Sequence, residues 1–256
     1  MSTKPIPDAR TTAYRTFCLG ALHKRYELEQ AASRLKHSDT PDNVRRFVLA
    51  RHWTENQRLL RWIYDEKLEP HFTRSERSLL AQAFPGWPDT LLEDMRWRTE
   101  RLGMLLWALR VIETVPGFDT PFKPEALMAP LDIFTPTIDF VWQAALRSSG
   151  EVRSMRDLAD LWHWRTQLAE LAQLGIRPQG DVSFAEIIRE TAEQAYQDRY
   201  LPAPIAGDFP AFGRAYGTLS SEQQQIVTRI TQERSAALDW LCAGVGEGRP
   251  VDYSPR

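Results

Sequence analysis

The sequence predicts an all-α protein, a single helical domain of about eight helices around one buried helix. Apolar residues recur with the spacing of amphipathic helices through most of the 256 residues. Alternating β-branched runs bounded by turn residues, which are typical of strands, are not found in the sequence. The segment LGMLLWALRVI is apolar around almost its whole circumference. We therefore predict that the helix Leu102–Ile112 is the centre of the domain.

The first two helices are indicated by their caps. Asp8 is a suitable N-cap for a helix that runs to about residue 36. Thr40-Pro41 provides a cap followed by proline at the first helical position, which predicts a second helix. The expected core stripe of this second helix is Val44, Phe47 and Val48.

Further helix starts and spans follow from the same signals. Capping boxes are expected at Thr73/Glu76 and Thr90/Glu93, and at Thr54/Gln57, where the box would either restart a helix or only kink one. Apolar periodicity predicts later helices over Pro124–Met128, Ile138–Leu146 and Met155–Leu174, from Asp181 or Ser183, and from Ser220 or Ser221.

The chain is expected to be one main domain with short additions at both ends. Residues 1–40 are expected to form an N-terminal helical extension, 41–248 the helical domain, and 249–256 a loose tail. Two proline-rich passages interrupt the helical pattern, at 116–136 and 201–216. The parts of the chain on either side of these passages do not look like complete domains by themselves, so we interpret both passages as crossing loops within one domain.

Composition limits the functional class. Lys and Arg number 32 against 34 Asp and Glu, a net charge of −2, which removes the usual electrostatic argument for nucleic acid or an anionic membrane. No apolar run reaches the length of a membrane span, and the first residues lack the apolar core of a signal peptide. Cys18 and Cys242 are too few for a disulfide framework. We expect a cytoplasmic protein whose nine tryptophans fill the core or, in part, line a groove or partner surface.

No motif assigns a chemistry. The five histidines form no metal signature, and the nearest candidate is Asp160 with His163, one helical turn apart. Neither a GxSxG elbow nor a glycine-rich phosphate loop occurs. We therefore expect no metal and no cofactor, and no residue is assigned as catalytic.

Four charged residues are the candidates for a polar network or a ligand site: Arg98, Glu100, Glu233 and Arg234. Arg98 and Glu100 precede the most apolar segment, and Glu233 and Arg234 precede ALDWL on the last helix. Charges that enter a core need partners. We predict that Glu100 pairs with Arg234 or, as second choice, with Arg98. A structural pairing is favoured over a ligand site.

A second candidate is the aromatic loop Phe209, Phe212 and Tyr216. Three rings and a proline in DFPAFGRAY predict an ordered loop despite its glycine and proline content. We expect Phe209 and Phe212 to pack on the last helix near Trp240.

Three segments resemble a bacterial family, domain of unknown function 4272. WRTERLGMLLWAL resembles the family's W-R-x-E-x-L-x-x-L-L-W-A-L segment, DFPAFGRAY its D-F-P-x-F-G-K-x-Y loop, and ERSAALDWLC its E-R-H-x-A-L-N-W-L-C ending. They occur in the family's order, and the resemblance spans residues 44 to 245. It implies a mostly helical domain and no established activity. Ser235 stands where the family usually has His, and Asp239 where it usually has Asn, so an activity that needs that His would be lost here.

Three functional classes stay open. A binding or protein-interaction module is favoured, with another protein as partner; an immunity or antitoxin-type partner of a bacterial effector is one form. The alternative is an enzyme that uses the four-residue polar site or His163. Nucleic-acid binding is disfavoured, and its candidate residues are Arg45, Arg46, Arg96, Arg98 and Arg101. The oligomeric state is left open.

Overall fold

The computed structural model describes residues 7–178 and 182–243, and this part of the chain is all-α. It contains ten α-helices, two strands of two residues each and three short 3-10 turns. The helices are α1 (Ala9–Lys36), α2 (Asp42–Asp65), α3 (Arg74–Leu80), α4 (Asp89–Trp97), α5 (Thr99–Ala108), α6 (Pro124–Met128), α7 (Ile138–Gln143), α8 (Ser149–Gln173), α9 (Phe184–Gln197) and α10 (Ser221–Ala243). The strands are β1 (Pro210–Ala211) and β2 (Arg214–Ala215), and the 3-10 turns are Glu69–His71, Ala129–Leu131 and Tyr216–Thr218. The predicted tail 249–256 and the candidate cap Asp181 lie outside the described residues.

The central helix is α5, as the sequence predicts. Nine of its ten residues are buried, so it has no solvated face. It packs against α1, α4, α6 and α10, and α10 in turn packs along α8. An all-round apolar helix is stable only where every side has a neighbour, which explains why four helices surround it.

The predicted end of this helix at Ile112 is wrong, because α5 stops at Ala108. Arg147 donates hydrogen bonds to two carbonyl groups at the end of α5. The backbone N–H of Arg147 donates to Ala108 O at 2.8 Å, and Arg147 Nε donates to Trp107 O at 2.8 Å. Arg110 then adopts a left-handed conformation with φ of 60°. A residue from far along the chain thus satisfies groups that a further helical turn would use.

The predicted capping boxes have different outcomes. Thr73 and Glu76 form theirs at the start of α3. The box at Thr90 is wrong, because α4 begins at Asp89 without a side-chain cap. The box at Thr54 is also wrong, because α2 runs through it and the Thr54 hydroxyl donates to Ala50 O at 3.0 Å.

The N-terminal helix α1 contributes directly to the core. Asp8 caps it by accepting from Thr11 N at 2.6 Å, as predicted. Sixteen of its 28 residues are buried, and it contacts α2, α4, α5 and α7. The side of α1 that faces α5 therefore belongs to the same hydrophobic cluster as the rest of the domain.

The strands form one tight hairpin in the aromatic loop. β1 and β2 are antiparallel, and Phe212 and Gly213 between them both have positive φ, 51° and 69°. This is the backbone of a type I′ turn. Phe212 is held in this conformation by its N–H, which donates to Asp119 Oδ2 at 2.6 Å.

Candidate functional site

The predicted pair Glu100–Arg234 is present and fully buried. Glu100 lies in the first turn of α5 and Arg234 in the middle of α10, and Arg234 Nε donates to Glu100 Oε2 at 2.9 Å. Both side chains are 0% exposed. Glu100 Oε1 accepts from Phe122 N at 2.9 Å, so both carboxylate oxygens are in use.

The other guanidinium donors of Arg234 hold the loop that follows α5. They donate to the carbonyls of Pro116, Gly117 and Thr120 at 2.7, 3.2 and 3.0 Å. The rings of Phe118 and Phe122 lie 5.0 and 4.9 Å from the guanidinium carbon.

This arrangement is a closed structural cluster. Burial raises the pKa of Glu100 and lowers the pKa of Arg234, and in each case the attraction of the partner opposes the change. Every polar group of the pair has a partner and none reaches solvent, so a ligand cannot contact it without opening the core. The pair therefore fixes how α5, α10 and the 116–122 loop fit together.

The remaining predicted residues, Arg98 and Glu233, belong to a separate cluster of five charges. Arg101 binds Glu233 through Nε and Nη2. Arg15 binds Glu76 through two parallel hydrogen bonds of 2.6 Å. Arg98 Nη1 lies 3.6 Å from Glu76 Oε1. The structure thus divides the predicted four-residue site into a closed pair and a partly open cluster.

The charges of this second cluster are strongly coupled. Burial raises the pKa of Glu76, but the ion pair and hydrogen bonds with Arg15 outweigh it and lower that pKa to about 2. Burial, and then the repulsion of Arg101, lowers the pKa of Arg98. Arg15 and Glu76 are missing from the predicted site because 61 positions separate them and no local pattern connects them.

Two of the three rings of the aromatic loop are buried, and the order of the loop stays a prediction. Phe209 and Tyr216 are 0% and 1% exposed. The ring of Phe209 packs on Trp162 and Trp164 of α8, with centroid distances of 5.4 and 6.1 Å. Among the described ring pairs, the aromatic partners of Phe209 are on α8 and not at the expected Trp240.

An ion pair that the sequence did not indicate connects the loop to α8. Arg165 of α8 donates from Nε and Nη2 to the two carboxylate oxygens of Asp208, each at 2.7 Å. Asp208 also accepts from the backbone N–H of Phe209 and Gly217 at 2.7 and 2.8 Å. Burial raises the pKa of Asp208, but these donors outweigh it and the net change is downward. Arg165 additionally lies 4.3 Å from the ring centroid of Tyr216.

The second helix differs most from expectation. Residues 42–55 of α2 include no buried position, and only Asn56, Leu59, Trp62 and Ile63 reach the core. The expected core stripe is wrong: Phe47 is 71% exposed and Val44 is 43% exposed. The first half of α2 therefore extends beyond the hydrophobic core.

The solvent side of α2 combines aromatic and arginine side chains. Trp53 and Tyr64 are 53% and 72% exposed and lie about three turns apart on the same side. Helix α2 carries five arginines against three acidic residues. We call this surface the α2 outer face and define it by Arg46, Trp53, Arg61 and Tyr64, with the exposed Phe47 at its border, about 120° around the helix from Trp53.

One of the concave surfaces in the described residues is an open groove of about 740 Å³ between α8 and α9. Its walls include the rings of Trp164 and Tyr200 and four carboxylates, Asp157, Asp160, Glu190 and Asp198. Partial burial raises the pKa of Asp160. The positive charge of Arg156 opposes this change, and the negative charges of Asp239 and Asp157 add to it. The groove is therefore acidic and matches cationic groups.

The Asp160–His163 candidate does not form a metal site. His163 Nε2 lies 3.0 Å from Gln167 Nε2, and Asp160 lies 3.9 Å from Arg156. Across residues 7–178 and 182–243, no group of three or more His, Cys, Asp or Glu side chains is placed to hold a metal ion. In the same residues, no helix has the length and apolar character needed to cross a membrane.

The fold and its buried ion pairs define an all-α protein whose helices are connected by charged side chains inside the core. The sequence model of one family, described as Domain of unknown function (DUF4272), matches residues 47–184, which is more than half of the chain. The chain belongs to that family. The match includes WRTERLGMLLWAL, whereas the resemblances at 208–216 and 233–242 lie beyond it and stay predictions. No curated protein and no solved structure matches the chain.

Proposed function

We propose that the protein is a bacterial cytoplasmic interaction module that binds another protein through the α2 outer face. The observation that carries the proposal is the exposure of Phe47, Trp53 and Tyr64 on a helix whose first half contributes nothing to the core. Large exposed aromatics among arginines have the composition of binding hot spots. The free cysteines, Cys18 and Cys242, fit the proposed cytoplasmic location.

The charge of α2 indicates the chemistry of the partner. The helix has an excess of two positive charges, five arginines against three acidic residues, in a chain whose net charge is −2. A partner surface with an apolar cleft bordered by carboxylates would accept the aromatic side chains and pair with the arginines.

Nucleic acid fits this surface less well. Arg45 and Arg61 each have an acidic neighbour on α2, Asp42 at 3.3 Å and Asp65 at 3.6 Å. Of the arginines considered for nucleic acid, only Arg45 and Arg46 lie on α2. Arg96, Arg98 and Arg101 lie in or between α4 and α5, and Arg101 is bound to Glu233. A phosphate backbone requires several uncompensated cations on one face.

Site-specific photo-crosslinking tests the proposal. A photoreactive phenylalanine analogue replaces Trp53 in one variant and Tyr196, an exposed aromatic on α9, in the control variant. We expect one discrete protein adduct in cells from position 53 and not from position 196. The captured protein must have an acidic surface and must bind the purified wild-type chain. A nucleic-acid adduct, an adduct with a second copy of this chain, or identical adducts from both positions would overturn the proposal.

A further inference from the structure

We propose that the cluster of Arg15, Glu76, Arg98, Arg101 and Glu233 is a binding site for a small oxyanion, with Arg98 as its main ligand residue. The site is independent of the α2 outer face. It combines side chains from α1, α3, the α4–α5 junction, α5 and α10, so it forms only in the folded domain.

The first argument is the charge balance. Among the described residues, Arg98 is a third guanidinium group beside two ion pairs, Arg15–Glu76 and Arg101–Glu233. Both carboxylates are already bound by other arginines: Glu76 by Arg15 through two hydrogen bonds, and Glu233 by Arg101. Arg98 therefore competes for an oxygen that is already in use.

The second argument is the unfilled hydrogen bonding of Arg98. Its guanidinium has five N–H donors, but its contact with Glu76 Oε1 is 3.6 Å, beyond a good hydrogen bond. Within the residues that the structure describes, the Arg98 side chain has no hydrogen-bond partner, although only 22% of it is exposed. Donors that are largely removed from water and lack acceptors are costly, and an oxyanion would supply acceptors and a counter-charge to Arg98.

The third argument is access. Exposure of the side chains rises from 2% at Glu76 and 10% at Arg15 to 15% at Arg101 and Glu233 and 22% at Arg98. The cluster therefore opens to solvent at the residue whose donors are unfilled.

Oxyanions are preferred over a halide because guanidinium groups are planar and bind two oxygens at once. A phosphate group and a carboxylate group share this chemistry, and the experiment distinguishes them.

Isothermal titration with inorganic phosphate, acetate or chloride at constant ionic strength tests the site. We expect saturable binding of phosphate or acetate, no binding of chloride, and at least about tenfold weaker binding for Arg98→Gln, because a charge-assisted interaction is lost. Arg96→Gln is the matched control, since Arg96 is 60% exposed and lies 3.8 Å from Glu93 on the same helix. Its affinity should equal that of the wild type.

A second variant keeps the test decisive if Arg98→Gln does not fold. Arg98→Lys retains the charge but loses the planar guanidinium group. We expect this variant to bind the oxyanion measurably but more weakly than the wild type does. Equal affinity in the wild type and Arg98→Lys, equal losses in Arg98→Gln and Arg96→Gln, or no saturable binding of either oxyanion would overturn the proposal.

Discussion

Glu100→Gln tests the role of the buried pair most sharply. The substitution keeps the shape of the side chain and an oxygen that can accept from Phe122 N, but it removes the negative charge opposite Arg234. Arg234 would retain its three carbonyl partners and would still be 0% exposed. A buried charge without its counter-charge costs about 3–5 kcal/mol, and the retained hydrogen bonds place Gln near the lower value.

Urea unfolding measures this loss. With a denaturant slope of about 2–3 kcal/mol per molar, a cost of about 3 kcal/mol lowers the midpoint by about 1 M with little change in slope. Asp94→Asn is the control, because Asp94 pairs with Arg229 at 3.3 Å on the surface and such pairs contribute about 0–1 kcal/mol. If the midpoint of Glu100→Gln falls no further than that of Asp94→Asn, the buried pair does not hold the helices as described here.

Three further predictions concern other parts of the core. Leu106→Ala should lower the free energy of unfolding by about 2–5 kcal/mol, because Leu106 is 0% exposed in α5; an unchanged urea midpoint and slope would contradict this. Glu76→Gln should destabilise by about 3 kcal/mol at neutral pH. Because the folded-state pKa of Glu76 is lowered from 4.5 to about 2, its contribution is complete above pH 4.5 and disappears as the pH falls to 2, so the stability curves of wild type and variant should converge in that window. Asp208→Asn should weaken the pairing with Arg165 and speed limited proteolysis within 208–216 at least several-fold; an unchanged cleavage rate would show that the aromatic rings alone order the loop.

Local signals predicted local structure well. Asp8, Thr73 and Ser183 cap α1, α3 and α9, and Pro124–Met128 is a helix with the predicted bounds. Each of these features depends on residues within one or two turns, so the sequence contains the whole cause.

Features that depend on distant residues were predicted less well. The end of α5 receives hydrogen bonds from Arg147, and Asp208 of the aromatic loop is paired with Arg165 of α8; neither arginine shares a local pattern with its target. The apolar spacing of Val44 and Phe47 indicated a buried stripe, but periodicity does not show whether a neighbouring element exists to cover it.

The predicted site residues illustrate both cases. The Glu100–Arg234 pair was predictable because each charge precedes an apolar run that must enter the core, and buried charges need partners. Arg15 and Glu76 gave no such signal, since Arg15 lies within α1 and Glu76 in a short helix with a capping box. The capping box was a sufficient explanation for a glutamate at position 76, so nothing in the sequence indicated that Glu76 also pairs with Arg15.

The affinity of the purified crosslinked partner for two matched variants tests the central claim most directly. Tyr64→Ala removes a 72% exposed ring from the α2 outer face, and Tyr196→Ala removes a 46% exposed ring from α9. We predict that Tyr64→Ala raises Kd at least about tenfold, as hot-spot aromatics do, while Tyr196→Ala leaves Kd unchanged and both variants unfold at the wild-type urea midpoint. Equal Kd values for the two variants would contradict binding through the α2 outer face.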